Sequence, residues 1–243
     1  GLAKLSFEKK KAKAWLSAAS KYRVPDFNDL YWTPGGNPNL LNENGYELAI
    51  GTKFLFKKIG NSQLRIEAIN RNIENQIVWV QGASYVHPIN LKAANSTQLS
   101  IRNQSTLFAK NQWLIKANVW YTFNKAHALL YNKIGSEENE EVLPYLPKYN
   151  SGIGFAVQHK NTHLFAQLQE IGRRYIDYSN NYNTSLEPYQ ELNAGIGHSL
   201  SIYDQNIDFN ISVINLLNNQ TLYAAARPNP GRYYRLKIAF NLK

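Results

Sequence analysis

The five histidines, His87, His127, His159, His163 and His198, are the first residues to test for chemistry. A hydrolytic metal centre places two of them four apart on one helix face with a further ligand nearby. His159 and His163 have that spacing, but Lys160-Asn161-Thr162 between them reads as a turn. The pair is therefore expected at the surface, not around a metal. The absence of cysteine removes disulfides, thiolate metal sites and a cysteine nucleophile together. Serines and aspartates occur without an arrangement that spacing can pick out as a triad, which is recognised by geometry. The cations Lys9, Lys10, Lys11 and Lys13 stand at a predicted turn, and neither a recognition helix nor a stacking motif accompanies them. The net charge of +10 is otherwise scattered, so no nucleic-acid partner is expected. The sequence reads as that of a non-enzyme without cofactor or metal.

The elements that carry these residues follow a period of two. Leu236, Ile238, Phe240 and Leu242 alternate with Lys237, Ala239 and Asn241. Trp113, Ile115, Ala117, Val119, Tyr121 and Phe123 likewise oppose Lys116, Asn118 and Thr122, although Leu114 and Trp120 join the polar side. Leu48, Ile50, Phe54 and Phe56 oppose Glu47 and Lys53.

Eleven strands are expected. The first covers Gly1 to Glu8, and the second ends near Arg23. A long loop, Val24 to Gly45, leads to strand three, Tyr46 to Lys58. This turns at Ile59-Gly60-Asn61-Ser62 into strand four, Gln63 to Gln76. A link holding Trp79, Tyr85, His87 and Pro88 precedes strand five, Lys92 to Phe108. Strand six follows a turn at Ala109-Lys110-Asn111 and ends near Lys125. The link from Ala126 to Pro144 carries Glu137, Glu138, Glu140 and Glu141. Strands seven and eight pair across His159–Thr162, and nine and ten across Ile202–Asn206. The last loop, Asn218 to Pro230, delivers the final strand.

Short and long links alternate throughout, as in a meander of hairpins. The expected strands are longer than the roughly 5–6 residues usual in soluble sheets, which argues against a soluble sandwich. The pattern points to an antiparallel transmembrane β-barrel, with apolar faces to lipid and charged faces to the lumen. A lysine facing lipid at mid-bilayer would cost about 2–4 kcal/mol. A mean hydropathy of −0.45 fits such a wall, whose lumen side is polar. No run of roughly 18 apolar residues is present, so a transmembrane helix is not expected. The 16 tyrosines and 5 tryptophans suit interfacial girdles.

Barrels of this kind put short turns in the periplasm and long loops outside. The final strand follows a long loop, so Lys243 is expected on the periplasmic side and Gly1 at the extracellular end. Eleven strands leave two open edges, whose bare backbone groups each cost several kcal/mol in lipid. Other strands are therefore expected to close the wall. A chain without methionine that begins at Gly1 reads as a piece of something longer or a processed product.

Several motifs carry a family resemblance. Arg23-Val24-Pro25-Asp26-Phe27-Asn28-Asp29-Leu30-Tyr31-Trp32 is followed by Gly36-Asn37-Pro38-Asn39-Leu40, Glu43, Tyr46-Glu47-Leu48 and Gly51. This resembles the "R-x-P-x-x-x-x-L-Y … G-N-P-x-L-x-P-E-x-x-x-x-E-x-G" stretch of TonB-dependent outer-membrane receptors, with Asn42 where the family has proline. Leu146-Pro147-Lys148 resembles the family's proline-marked strand start. Asn215-Leu216-Leu217-Asn218 with Tyr223 resembles its "N-L-F-x-x-x-Y", and Pro230-Gly231-Arg232 its terminal "P-G-R". The resemblance runs over nearly the whole chain.

It implies a plugged barrel of about 22 strands, of which residues 1–243 would be the C-terminal half. The plug and the first barrel half would lie outside. Implied partners are that remainder, a TonB-type energy-coupling protein acting through the plug, outer-membrane lipid and lipopolysaccharide, and a surface-exposed ligand-capturing lipoprotein. Pro25, Leu30, Tyr31, Gly36, Asn37, Pro38, Glu43, Glu47, Gly51, Asn215, Leu216, Pro230, Gly231 and Arg232 are expected to be architectural. Gly35 and Gly36 are expected to supply positive φ.

By the family's logic, ligand recognition falls to loops and upper lumen. Tyr31, Trp32, Trp79, Tyr85, His87, Tyr178, Tyr182 and Arg227 are the candidates. The implied function is active uptake of a scarce, bulky ligand, cobalamin or an iron–siderophore complex. The alternatives are a barrel protease or phospholipase, and a passive porin.

Overall fold

The structure, a computed structural model, describes residues 1–57, 61–129, 140–202 and 205–241. Lys58, Ile59, Gly60, Glu137, Glu138, Leu242 and Lys243, which figure in the expectations above, lie outside the described residues.

The chain runs β1 (Leu2–Lys9), β2 (Ala12–Arg23), α1 (Phe27–Tyr31), β3 (Glu43–Phe56), β4 (Ser62–Glu74), β5 (Ile77–Gln81), β6 (Val86–Asn90), β7 (Ala93–Lys110) and β8 (Trp113–Leu129). It continues through β9 (Glu140–Val142), β10 (Tyr149–His159), β11 (Thr162–Ile171), a 3-10 turn (Tyr182–Thr184), β12 (Tyr189–Ile202), β13 (Gln205–Ile214), β14 (Leu222–Ala224), β15 (Arg227–Pro228) and β16 (Tyr233–Asn241). One antiparallel sheet has the order β1-β2-β3-β4-β7-β8-β10-β11-β12-β13-β16, with β9 added against β8. These are the eleven expected wall strands. The described sheet is open, with β1 and β16 at its edges.

The tight β1–β2, β7–β8 and β10–β11 turns lie at one end of the sheet, and the described long links, such as 24–42 and 172–188, lie at the other. Lys10, Asn111, Gln112 and Lys160 hold positive φ in the tight turns, matching the twist that two-residue hairpins require.

Register places side chains as the alternation implies. Leu5↔Leu16, Leu16↔Ile50, Phe54↔Leu64, Ile66↔Ile101, Val119↔Ile153, Ile196↔Ile211 and Ile211↔Leu236 pair on the outward face. Many of these residues are exposed, Leu5 to 74% and Leu236 to 64%. A continuous band of bare aliphatic surface is unstable in water and stable in hydrocarbon. No helix among the described residues is long and apolar enough to cross a membrane.

The concave face is charged and aromatic. Glu47 accepts from Arg71 and pairs with Lys21 at 3.4 Å. The Arg65 guanidinium lies 4.8 Å from the Trp15 ring centre, and the indole N–H of Trp15 donates to Glu67 at 3.3 Å. Each large ring needs a bare neighbour. Trp15 stands directly opposite Gly51, where a Cβ would come 2.1 Å from its ring. Trp120 covers Gly152 in the same way, at 2.2 Å.

The boundaries differ from the sequence expectations in two instructive places. β3 starts at Glu43, before the expected Tyr46, because Glu43 accepts from Arg23 at 2.9 Å and from the Ile77 amide at 2.8 Å. β8 runs past Lys125 to Leu129 because Ala126 and Ala128 are buried. Leu91, Ala94 and Ala128 form a small apolar core packed with Val78, Leu143 and Tyr178 at the long-loop end.

Candidate functional site

The long links are structured. Asp26 caps α1 in a reciprocal box with Asp29, each side chain accepting from the other's amide, at 2.9 and 3.1 Å. Asp29 is 3% exposed. Burying its carboxylate requires partners, and Arg23 donates to it at 2.5 Å while the Trp79 indole donates at 3.0 Å. One buried carboxylate thus ties the end of β2, helix α1 and the β5–β6 hairpin together.

Further bonds seat that hairpin on the first long link. Asn37 donates to the Pro88 carbonyl at 3.2 Å, and Asn90 accepts from the Leu41 amide at 2.8 Å. Gly35 and Gly36 do not hold positive φ, contrary to the expectation. Their role is close approach: a Cβ on Gly35 would lie 2.2 Å from the Val86 carbonyl oxygen, and one on Gly36 2.6 Å from the Trp32 amide.

Between the β5–β6 hairpin and the concave wall lies a cavity of about 860 Å³. Trp79, Tyr145 and Tyr178 line it with Ile69 and Ile89, while Arg71, Gln98, Asn124 and Asp177 supply polar atoms. Ligand pockets commonly span about 300–1,000 Å³ with this mixture of apolar wall and few polar groups. Gln98 donates to Asn124 at 3.0 Å, so part of the polar floor is already fixed. Burial pushes the Tyr178 phenol up to about 12, so its hydroxyl is a neutral donor and acceptor at ordinary pH.

The sequence candidates divide accordingly. Trp79 and Tyr178 come together in this cavity. Tyr85 and His87 line a smaller one, about 390 Å³, with the first long link, and their rings meet edge-on at 6.5 Å. Tyr31 and Trp32 are exposed on and beside α1, and Tyr31 packs on Phe27 at 5.2 Å. Tyr182 is engaged by Arg173, which stacks 4.0 Å from its ring centre and donates to its hydroxyl at 3.0 Å. Arg227 lies on the exposed β14–β15 hairpin and is not among the residues lining the cavity of Trp79 and Tyr178.

The motif residues make architectural contacts. Asn215, 1% exposed, donates to the carbonyls of Asn219 and Pro230 at 3.0 and 3.3 Å and accepts from the Asn219 amide at 3.1 Å. The Arg232 amide donates to Asn218 at 2.8 Å. The Asn215–Asn218 and Pro230–Arg232 motifs thus clasp one another. Buried Arg174 donates to the carbonyls of Tyr223 and Leu222 at 2.8 and 3.0 Å, joining the β11–β12 link to the same region.

Asp29, Tyr145, Arg173 and Arg174 were not singled out from sequence. Asp29 could have been, because its spacing from Asp26 is that of a capping box; Tyr145 and the two arginines have no such local signal.

The register gathers His159, His163 and His198 around the β10–β11 turn, and the two expected at the surface are half-buried. His159 stacks on Trp113 at 4.2 Å, and His163 covers Gly197. His198 pairs with Thr162 at 2.8 Å. Among the described residues no group of three His, Asp or Glu is placed to hold a metal.

A family profile described as "TonB dependent receptor-like, beta-barrel" matches residues 10–216. The vitamin B12 transporter BtuB of Vibrio vulnificus (strain YJ016) is 35% identical over 63 residues, which are 26% of this chain and 10% of that protein. Among solved structures, the copper transporter OprC superposes with a TM-score of 0.76 at 12% identity, over 98% of this chain and 38% of its own. The ferric-catecholate import receptor Fiu from E. coli K12 gives 0.67 at 18% identity, over 97% and 34%. The chain thus spans little more than a third of these structures. With the open sheet, the lipid-facing band and the profile match in hand, the chain belongs to the TonB dependent receptor-like β-barrel family of the outer membrane.

Proposed function

We propose that this chain supplies the C-terminal half of the wall of an active-transport receptor that captures a scarce, bulky ligand outside the cell. Cobalamin or an iron–siderophore complex is the favoured cargo. The observation that carries the reading is the aromatic and polar cavity at the long-loop end of the concave face, with Trp79 and Tyr178 in its lining. A loop-borne pocket opening onto the lumen suits capture followed by passage, and no bond chemistry is required of the wall. The candidate ligand contacts are Trp79, Tyr85, His87 and Tyr178 first, with Tyr31, Trp32, Tyr182 and Arg227 as the outer rim. The relatives named above are described as carrying vitamin B12, copper and ferric catecholate, a set united by metal-containing cargo.

The open edges of β1 and β16 support the proposal that further strands close the barrel, and a plug would then fill the lumen. A TonB-type protein would act through that plug. Lipopolysaccharide would surround the outer rim, and a ligand-capturing lipoprotein would meet the long loops.

Binding of labelled cobalamin and ferric siderophores to the intact receptor tests the cargo. One of them is expected to bind, and Trp79→Ala to weaken it roughly tenfold, as for an aromatic anchor that the ligand covers. If neither binds and planar-bilayer conductance reveals an open pore, the uptake reading is wrong and the passive-porin reading replaces it.

A further inference from the structure

The tight-turn end of the sheet carries a concentration of lysine that uptake does not explain. Lys9, Lys10 and Lys11 stand at the β1–β2 turn, Lys57 after β3, Lys110 at the β7–β8 turn and Lys160 at the β10–β11 turn, all exposed. Within two residues of these four turns, Glu8 is the one acidic residue among those described, and it is held by Lys13 at 3.1 Å. The opposite end is mixed in sign, with Asp26, Asp29, Glu43 and Glu187 each paired to an arginine. The excess of positive charge therefore belongs to one end.

Its position relative to the lipid-facing band decides what it meets. On β1 the outward face reads Leu5, Phe7, Lys9, and on β3 it ends with Phe54 and Phe56, one residue before Lys57 in the chain. On β7 Phe108 precedes Lys110, which lies opposite Trp113. Trp113 in turn stacks on His159, next to Lys160. Phe7, Phe56, Phe108 and Trp113 are exposed. Aromatic side chains at the end of an apolar band mark the headgroup level. A lysine one or two residues beyond can lay its stem on the apolar edge and hold its ammonium among headgroup phosphates. The turn β10–β11 touches the turn β7–β8, with the Lys160 amide donating to the Gln112 carbonyl at 3.2 Å, so Lys110 and Lys160 belong to one patch.

We propose that this lysine collar binds the headgroups of anionic phospholipids in the periplasmic leaflet, recruiting them to the barrel's lower rim. The orientation follows from short turns facing the periplasm. The inference rests on membrane residence and not on the cargo, so a failed ligand experiment leaves it standing.

The test is the intact receptor in bilayers mixing brominated phosphatidylglycerol with phosphatidylcholine, read by quenching of Trp113, whose contribution is isolated by subtracting the Trp113→Phe variant. A preference for the anionic lipid of about fivefold at low salt is expected, fading as salt is raised. The combined variant Lys9→Gln, Lys10→Asn, Lys110→Gln, Lys160→Asn should lose the preference; asparagine is used where φ is positive to keep the turns. Unchanged strand content by circular dichroism shows that the variant is folded. Equal quenching by both lipids in the unaltered receptor overturns the proposal, as does a preference that survives the four substitutions. Collar-dependent cosedimentation with purified peptidoglycan, without lipid preference, would assign the collar to the cell wall and also overturn it.

Discussion

Asp29 shows how a single carboxylate organises a loop that sequence alone leaves long and shapeless. It is buried, it accepts from Arg23 and Trp79, and it closes the cap of α1. Asp29→Ala removes the shared acceptor and leaves the Trp79 indole and the Arg23 guanidinium to find others. Arg23 is 42% exposed and keeps Glu43, so water and that second pair soften the loss. About 1–3 kcal/mol of local stability is expected to go. Hydrogen exchange should then speed up in residues 24–42 and 77–90 while the wall strands keep their protection. Unchanged exchange in both segments would show that the loop is held by other contacts.

At the scale of elements, the wall depends on pairing a ring with a glycine across neighbouring strands. Gly51→Leu drives a side chain into the space that Trp15 occupies, and overpacking of this kind costs about 1–3 kcal/mol. The heat-modifiable gel shift of the folded barrel should move to lower temperature. Adding Trp15→Ala should restore part of it, because the two positions face one another in register and then share the volume. A double variant no better than Gly51→Leu alone would mean that the clash is relieved elsewhere. The same scale explains which boundaries were legible. Strands with a strict large-apolar and polar alternation, such as Tyr233–Asn241, appear where the pattern puts them. The last four residues of β8 carry Ala126 and Ala128, whose small side chains give no period but are buried against the loop core. The β5–β6 hairpin was hidden for another reason. Pro88 argues against a strand, yet a two-stranded ribbon consists of edges, where a residue lacking an N–H is tolerated.

For the whole molecule the open edges dominate. β1 and β16 each leave one side of the backbone unpaired among the described residues, and hydrocarbon cannot satisfy those groups. The 243-residue chain alone, refolded with lipid vesicles, is expected to give no protease-protected, heat-modifiable form. Co-refolding with the remaining wall strands should produce one. Insertion of the single chain as a stable monomer would show instead that the sheet closes on itself.

What the sequence determined by itself is the membrane wall, its strand number, its facing and its family, because a two-residue period, turn chemistry and short motifs are local and repeat along the chain. The tertiary structure decided which scattered residues come together: Trp79 and Tyr178 in one cavity, Asp29 on Trp79, Asn215 on Pro230. Those pairings span from fifteen to about a hundred residues of chain and depend on how separate loops fold back over one rim. No periodicity encodes that. The physical reason is that strand register is set by neighbours in the ladder, whereas loop packing is set by volume and buried hydrogen bonds that exist only after the ladder has brought the loops together.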